Sequence, residues 1–132
     1  MFRFVRPARL ATVVFGIAAV FAACGGTISS SGPDASLPAG ALAVEAKEYS
    51  FTPSTLSAPA GPVTFSVTNA GTENHEFEVM TEDQSLAKIA SFSRGTTQAV
   101  TVSLEPGSYA FVCRLNGHNQ LGMTGTLTVT GS

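Results

Sequence analysis

Tyr109-Ala110-Phe111-Val112-Cys113 runs into Arg114-Leu115-Asn116-Gly117-His118-Asn119-Gln120-Leu121-Gly122-Met123, and Thr124-Gly125-Thr126-Leu127-Thr128-Val129-Thr130 follows. The first five residues are almost wholly apolar, as in a central strand covered on both faces. The last seven alternate, with Leu127 and Val129 between threonines, as in a strand with one face in a core. Between them lies a loop bent by Gly117 and Gly122, with a cysteine at its entrance, a histidine in its middle and a methionine at its exit.

The same period of two extends upstream. Leu42, Val44 and Ala46 alternate with Ala43, Glu45 and Lys47, and Val63, Phe65 and Val67 with Thr64, Ser66 and Thr68. Phe77 and Val79 alternate with Glu76 and Glu78, and Val100, Val102 and Leu104 with Thr101 and Ser103. Ala60-Gly61-Pro62, Asn69-Ala70-Gly71 and Glu105-Pro106-Gly107 punctuate these runs as turns. One apolar and one polar face per strand predicts an all-β sandwich of antiparallel sheets over residues 41–132. One segment departs from the pattern. Thr81 and Gln84 have capping-box spacing, and Leu86, Ile89 and Ala90 form a short stripe, so a brief helix is expected between Met80 and Gly95.

The 132 residues suit one modest domain, and 44% hydrophobic with 12% charged residues argues against disorder. Arg3, Arg6 and Arg9 form a basic start, Leu10–Phe21 is an apolar stretch too short to span a bilayer comfortably, and Ala22-Ala23-Cys24-Gly25 follows. Residues 1–23 therefore read as an export signal, with Cys24 in a lipobox-like context as the lipidated first residue of the mature chain. An ordinary signal peptide cut near Ala23, leaving Cys24 incidental, is the alternative. Residues 24–40, rich in Gly, Ser, Pro and Ala, read as a flexible tether. The expected location is the outer face of a bacterial cytoplasmic membrane or the periplasm. From Cys24 onward four basic residues face nine acidic ones, a net of −5, which disfavours nucleic acid and favours basic partners.

The chain has two cysteines and two histidines. If Cys24 is lipidated, Cys113 is the one remaining thiol, a liability in an oxidising compartment unless a metal occupies it. Cys113, His118 and Met123 follow one another at intervals of five, and His75 opens the Phe77/Val79 strand on its apolar face. Taken singly, each has an ordinary structural explanation: a small buried hydrophobe, a polar strand start, a core filler. Taken together, one thiolate, two imidazoles and one thioether form a soft N/S set suited to a single blue-copper ion. Zinc favours a carboxylate over a thioether as fourth ligand. Iron–sulfur clusters require more cysteines, and a dinuclear copper site a second one in this loop.

The chain resembles the cupredoxins, the small blue-copper family of plastocyanin, azurin and rusticyanin. The features that carry the resemblance are Phe51-Thr52-Pro53, the Gly61–Asn69 strand, Asn69-Ala70-Gly71 before His75, and Pro106-Gly107-Ser108-Tyr109 leading into Cys113. The Cys-x₄-His-x₄-Met loop is similar to that of rusticyanin. The resemblance implies a Greek-key β-sandwich with copper near one end, His75, Cys113 and His118 as equatorial ligands, Met123 as the axial one, and His118 near the surface as the electron exit. Many members carry Asn or Ser directly after the first histidine, hydrogen-bonded towards the cysteine loop. Here that residue is Glu76, which alternation directs to the opposite face from His75; Asn74 and Asn69 are the other candidates for the bond.

A one-electron carrier, monomeric and docking transiently with cytochromes or oxidases, is the function expected, with Leu115, Gly117, Leu121 and Gly122 as an apolar contact around His118. Neither a second metal site nor a catalytic triad is visible, so an enzyme is not expected. The alternative is copper delivery, storage or resistance, which Met-rich or His-rich tracts would favour; the sequence has neither. A metal-free cupredoxin-like module is a third reading, and the intact ligand set argues against it.

Overall fold

The computed structural model describes residues 37–131. Nine strands follow one another: β1 (Leu42–Lys47), β2 (Ser50–Thr52), β3 (Thr55–Pro59), β4 (Gly61–Asn69), β5 (His75–Met80), β6 (Ser85–Phe92), β7 (Thr97–Leu104), β8 (Gly107–Val112) and β9 (Thr124–Thr130). One sheet has the order β2-β1-β4-β7, the other β3-β9-β8-β5-β6. The sandwich is as expected, but its sheets are mixed, because β1 pairs β4 and β3 pairs β9 in parallel. Alternation reports which face a residue occupies and carries no information on the direction of the neighbouring strand.

The core lies between the sheets. Phe65, Val67, Phe77, Val79 and Phe111 are fully buried, and Phe51 and Leu127 nearly so. Phe77 stands at its centre, with ring centroids 5.5 Å from Phe51, 5.1 Å from Phe65 and 5.4 Å from Phe111. On β9, Gly125 leaves room for the Phe111 ring: a Cβ there would collide with that ring and come within 2.7 Å of the Ser54 carbonyl. β8 is the middle strand of its sheet. On its outer face Val112 is buried and pairs in register with Glu78, whose carboxylate reaches Arg114 at 3.4 Å.

The helix expected between Met80 and Gly95 is absent; β6 occupies that segment. Thr81 and Gln84 do make the hydrogen bond that suggested a cap, Gln84 N–H donating to Thr81 Oγ1 at 3.1 Å. The Thr81 N–H also donates to the Gln84 carbonyl at 2.9 Å, so the pair closes the β5–β6 turn instead of opening a helix. Of the stripe Leu86, Ile89 and Ala90, only Ile89 is buried, with Leu86 half-buried and Ala90 exposed, and the strand carries a register shift instead. His75 pairs Phe92 and Phe77 pairs Ile89, so two steps on β5 oppose three on β6. The inward residues Ile89 and Phe92 are thus three apart, the spacing a β-bulge imposes.

Among the described residues the one helix is a short 3₁₀ segment, Leu115–Leu121, inside the loop between Cys113 and Met123. Asn116 (φ 50°) and Gly117 (φ 79°) take left-handed backbone, which Asn tolerates and Gly permits without cost. Gly122 (φ 105°) ends the helix, its N–H directed at the Asn119 and His118 carbonyls.

Candidate metal centre

Four elements deliver the predicted ligands to one end of the sandwich. His75 opens β5, Cys113 follows β8, His118 lies in the 3₁₀ helix and Met123 precedes β9. Because β9, β8 and β5 are neighbours in one sheet, the loop need only fold back on its own strand ends. It is pinned there by Cys113 N–H donating to Met123 O at 3.1 Å and Met123 N–H donating to His118 O at 3.1 Å.

His75, Cys113 and His118 are all buried, and their ligand atoms lie within 4.8 Å of one another. Cys113 Sγ is 3.5 Å from His118 Nδ1 and 4.0 Å from His75 Nδ1. A metal with bonds of about 2.3 Å to sulfur and about 2.0 Å to nitrogen, spaced trigonally, separates those donors by roughly 3.7 Å. The observed spacings bracket that figure, so the donor set fits one metal ion, and its composition is that of a type 1 copper site. Met123 is fully buried beside Cys113 in the backbone pairing.

The surroundings prepare these groups for a metal. Burial pushes the His75 imidazole below its ordinary pKa, against the pull of Glu48, so the ring stays neutral with a lone pair to donate. Burial raises the Cys113 thiol, opposed by the Glu76 N–H, which donates to Sγ at 3.4 Å, and by the Leu115 N–H. Binding a cation would therefore displace a proton from sulfur.

Glu76 answers the question its position raised. It does point away from His75, yet it is buried, and its Oε1 accepts the Arg114 N–H at 3.0 Å while Oε2 pairs with Lys88 at 3.0 Å. It thus ties β5 to the residue after Cys113 from the outer face. Asn69 takes a different part: its side-chain amide donates to the Glu73 and Phe92 carbonyls and its oxygen accepts the Gly71 N–H, fixing the turn that leads to His75. Asn69 therefore does not reach the cysteine loop.

Three further residues, Glu48, Tyr49 and Glu73, stand at the site without any signature in the sequence. Glu48 Oε1 accepts the N–H groups of Thr72 and Glu73 at 2.6 and 2.7 Å and lies 3.3 Å from His75 Nε2. That last contact is off the line of the ring N–H, so it acts as charge beside the ring more than as a directed hydrogen bond. Glu73 Oε2 lies 3.1 Å from His118 Nε2, and the Tyr49 ring stands edge-on to His118 at 4.9 Å. With this cover His118 is only 2% exposed. Leu121, at 60%, is the prominent apolar side chain beside it in the loop. Glu48 and Tyr49 sit in the β1–β2 turn, far from the ligands in sequence, and nothing in their spacing marks them.

The backbone N–H bonds hold the Glu48 carboxyl well below its usual range, at about 2 instead of 4.5. A depressed carboxylate pKa stabilises the fold above the unfolded value, and that contribution is lost as pH falls through the folded value. Metal-free protein should therefore lose thermal stability between about pH 4.5 and about pH 2. Glu48→Gln should flatten that part of the profile; superimposable wild-type and variant curves would contradict the assignment.

Several solved structures share the fold. Auracyanin B superposes with a TM-score of 0.65 and 26% identity, over 70% of this chain and 90% of that one. Rusticyanin from Thiobacillus ferrooxidans gives 0.53 and 24%, over 69% and 78%. A copper-containing nitrite reductase from Thermus scotoductus SA-01 gives 0.53 and 20%, over 68% of this chain but only 22% of that one. No curated protein sequence matches. The match to the cupredoxin-like domain spans residues 16–129, all four predicted ligands included, and the chain accordingly belongs to that family.

Proposed function

We propose that the protein is a one-electron carrier holding a single copper with His75, Cys113 and His118 as equatorial ligands and Met123 as the axial one. The observation that carries this reading is the convergence of two imidazoles and one thiol, all buried, with ligand atoms within 4.8 Å of one another. Bound copper would supply a Cu(I)/Cu(II) couple. The chain's own part is to keep the donors in one arrangement in both states, which the β5, β8 and β9 strand ends and the loop hydrogen bonds do. Little ligand movement between states favours fast exchange over multi-electron catalysis. Leu121 and Leu115 beside His118 offer a small contact for a brief docking with cytochromes or oxidases, and the acidic surplus favours basic partners.

We further propose that the mature protein starts at a lipidated Cys24 and works on the outer face of the cytoplasmic membrane or in the periplasm, as a monomer. Residues 1–23, Cys24 and most of the 24–40 tether lie outside the described residues. Within the described residues no helix is long and apolar enough to cross a membrane. A tether would raise the effective concentration of membrane-bound redox partners.

Loading the purified protein with Cu(II) should give an intense blue or green band, bleached by ascorbate and restored by oxidation. Rapid electron exchange with a cytochrome should follow. A colourless complex would overturn the copper assignment, and a coloured protein inert towards every cytochrome would point to copper handling. Cys24→Ser should release the protein from membranes; unchanged membrane association would rule out the lipid anchor.

A further inference from the structure

Both histidines present Nδ1 to Cys113, so a ring bound through Nδ1 carries its proton on the far nitrogen, Nε2. Each Nε2 faces a carboxylate: Glu48 Oε1 at 3.3 Å from that of His75, Glu73 Oε2 at 3.1 Å from that of His118. We propose that Glu48 and Glu73 are positioning residues that act through these rings to hold the copper couple at a lower midpoint potential than the same four ligands would otherwise have. This rests on the copper reading above.

Glu48 is built into place. Two backbone N–H groups, from Thr72 and Glu73, converge on its Oε1, and the turn carries glycine at position 71 where a Cβ would fall on the carboxylate, 2.8 Å from both Cδ and Oε2. A surface glutamate that happened to drift near a histidine would have neither the two donors nor the cleared space. Glu73 is held more loosely, with its side chain 48% exposed, but its own N–H is one of the two donors that seat Glu48. The pair thus forms one unit across the β1–β2 turn and the turn before β5.

The direction of the effect follows from charge. Oxidised copper carries one more positive charge than reduced copper, and the cysteine thiolate cancels the same charge in both states. Negative charge beside the ligands therefore stabilises the oxidised form more. At His118, where Glu73 accepts from Nε2, that hydrogen bond also raises the basicity of the imidazole, which again favours Cu(II). The rings of His75 and His118 are buried, so solvent screens this influence less than at the surface. Glu48, the more enclosed and better fixed carboxylate, should act more strongly than Glu73.

Redox titration of the visible band at one pH and one ionic strength tests this on full-length copper-loaded protein. Glu48→Gln keeps an oxygen acceptor for the turn and removes only the charge. It should shift the Cu(I)/Cu(II) ratio at a fixed ambient potential towards Cu(I) by roughly tenfold or more, about 59 mV for one electron. Glu73→Gln should shift it the same way by less, and Glu105→Gln, at the far end of β8, should leave it unchanged. Glu73→Gln keeps the test open should Glu48→Gln fail to fold. Variants that take up copper with full colour but titrate with the wild type would overturn the proposal and leave the copper reading intact. A wild-type protein without the visible band would overturn both.

Discussion

Replacing Cys113 with Ser should abolish the intense visible band of the copper-loaded protein while leaving the fold in place. The colour of such a site requires sulfur bound to Cu(II), and a serine hydroxyl does not supply a thiolate at neutral pH. The fold should survive because the hydroxyl is small and finds partners in a fully buried position. The Glu76 N–H already points at the Cys113 side chain, and His118 Nδ1 lies 3.5 Å from it. Far-ultraviolet circular dichroism should therefore match the wild type, and copper affinity should fall with the colour. A Cys113→Ser protein that keeps the band would remove the thiolate from the site and overturn the ligand assignment.

The largest loss of stability is expected from Phe77→Ala. The ring is fully buried and packs against Phe51, Phe65 and Phe111 from both sheets. Removing it deletes apolar burial and leaves a cavity that three other rings cannot all move to fill. Truncations of this kind cost about 3–5 kcal/mol, out of a total near 5–15 kcal/mol for a typical domain. Urea unfolding should show the midpoint falling with little change in slope. The same change should loosen the metal site, because Phe77 sits two residues along β5 from His75 and fixes the height of that strand. A loss below about 1 kcal/mol would mean that the two sheets do not meet on this ring.

Glu48 and Glu73 bear on how such a protein is read by its ligands alone. The four ligands decide which metal can bind and what colour it takes. The groups behind the two imidazoles decide how readily that metal gives up an electron. Glu76 has a third task, tying β5 to Arg114 and so fixing the exit of Cys113. Three glutamates from two turns and one strand thus surround a site in which no glutamate is expected to touch the metal.

Much of this was legible in the amino-acid order because its physics is local. Alternation along β1, β4, β5, β7 and β9 follows from the two-residue period of extended chain. The Cys113–Met123 loop is one short segment, so its spacing already limits how its donors can converge, and His75 shares its strand with the core residues Phe77 and Val79. Where a local signal had two physical sources it misled: Thr81 and Gln84 make the hydrogen bond of a helix cap, but here it closes the β5–β6 turn, and β6 follows in place of a helix. By itself the sequence determined a β-sandwich and a soft donor set with copper chemistry. Only the tertiary structure decided that two sheet pairings run parallel, that Glu76 reaches the loop from the outer face, and that Glu48 and Glu73 stand behind the histidines. The reason is distance along the chain: Glu48 and His75 meet because β1 pairs with β4 across the sheet, and no periodicity within either segment records that encounter.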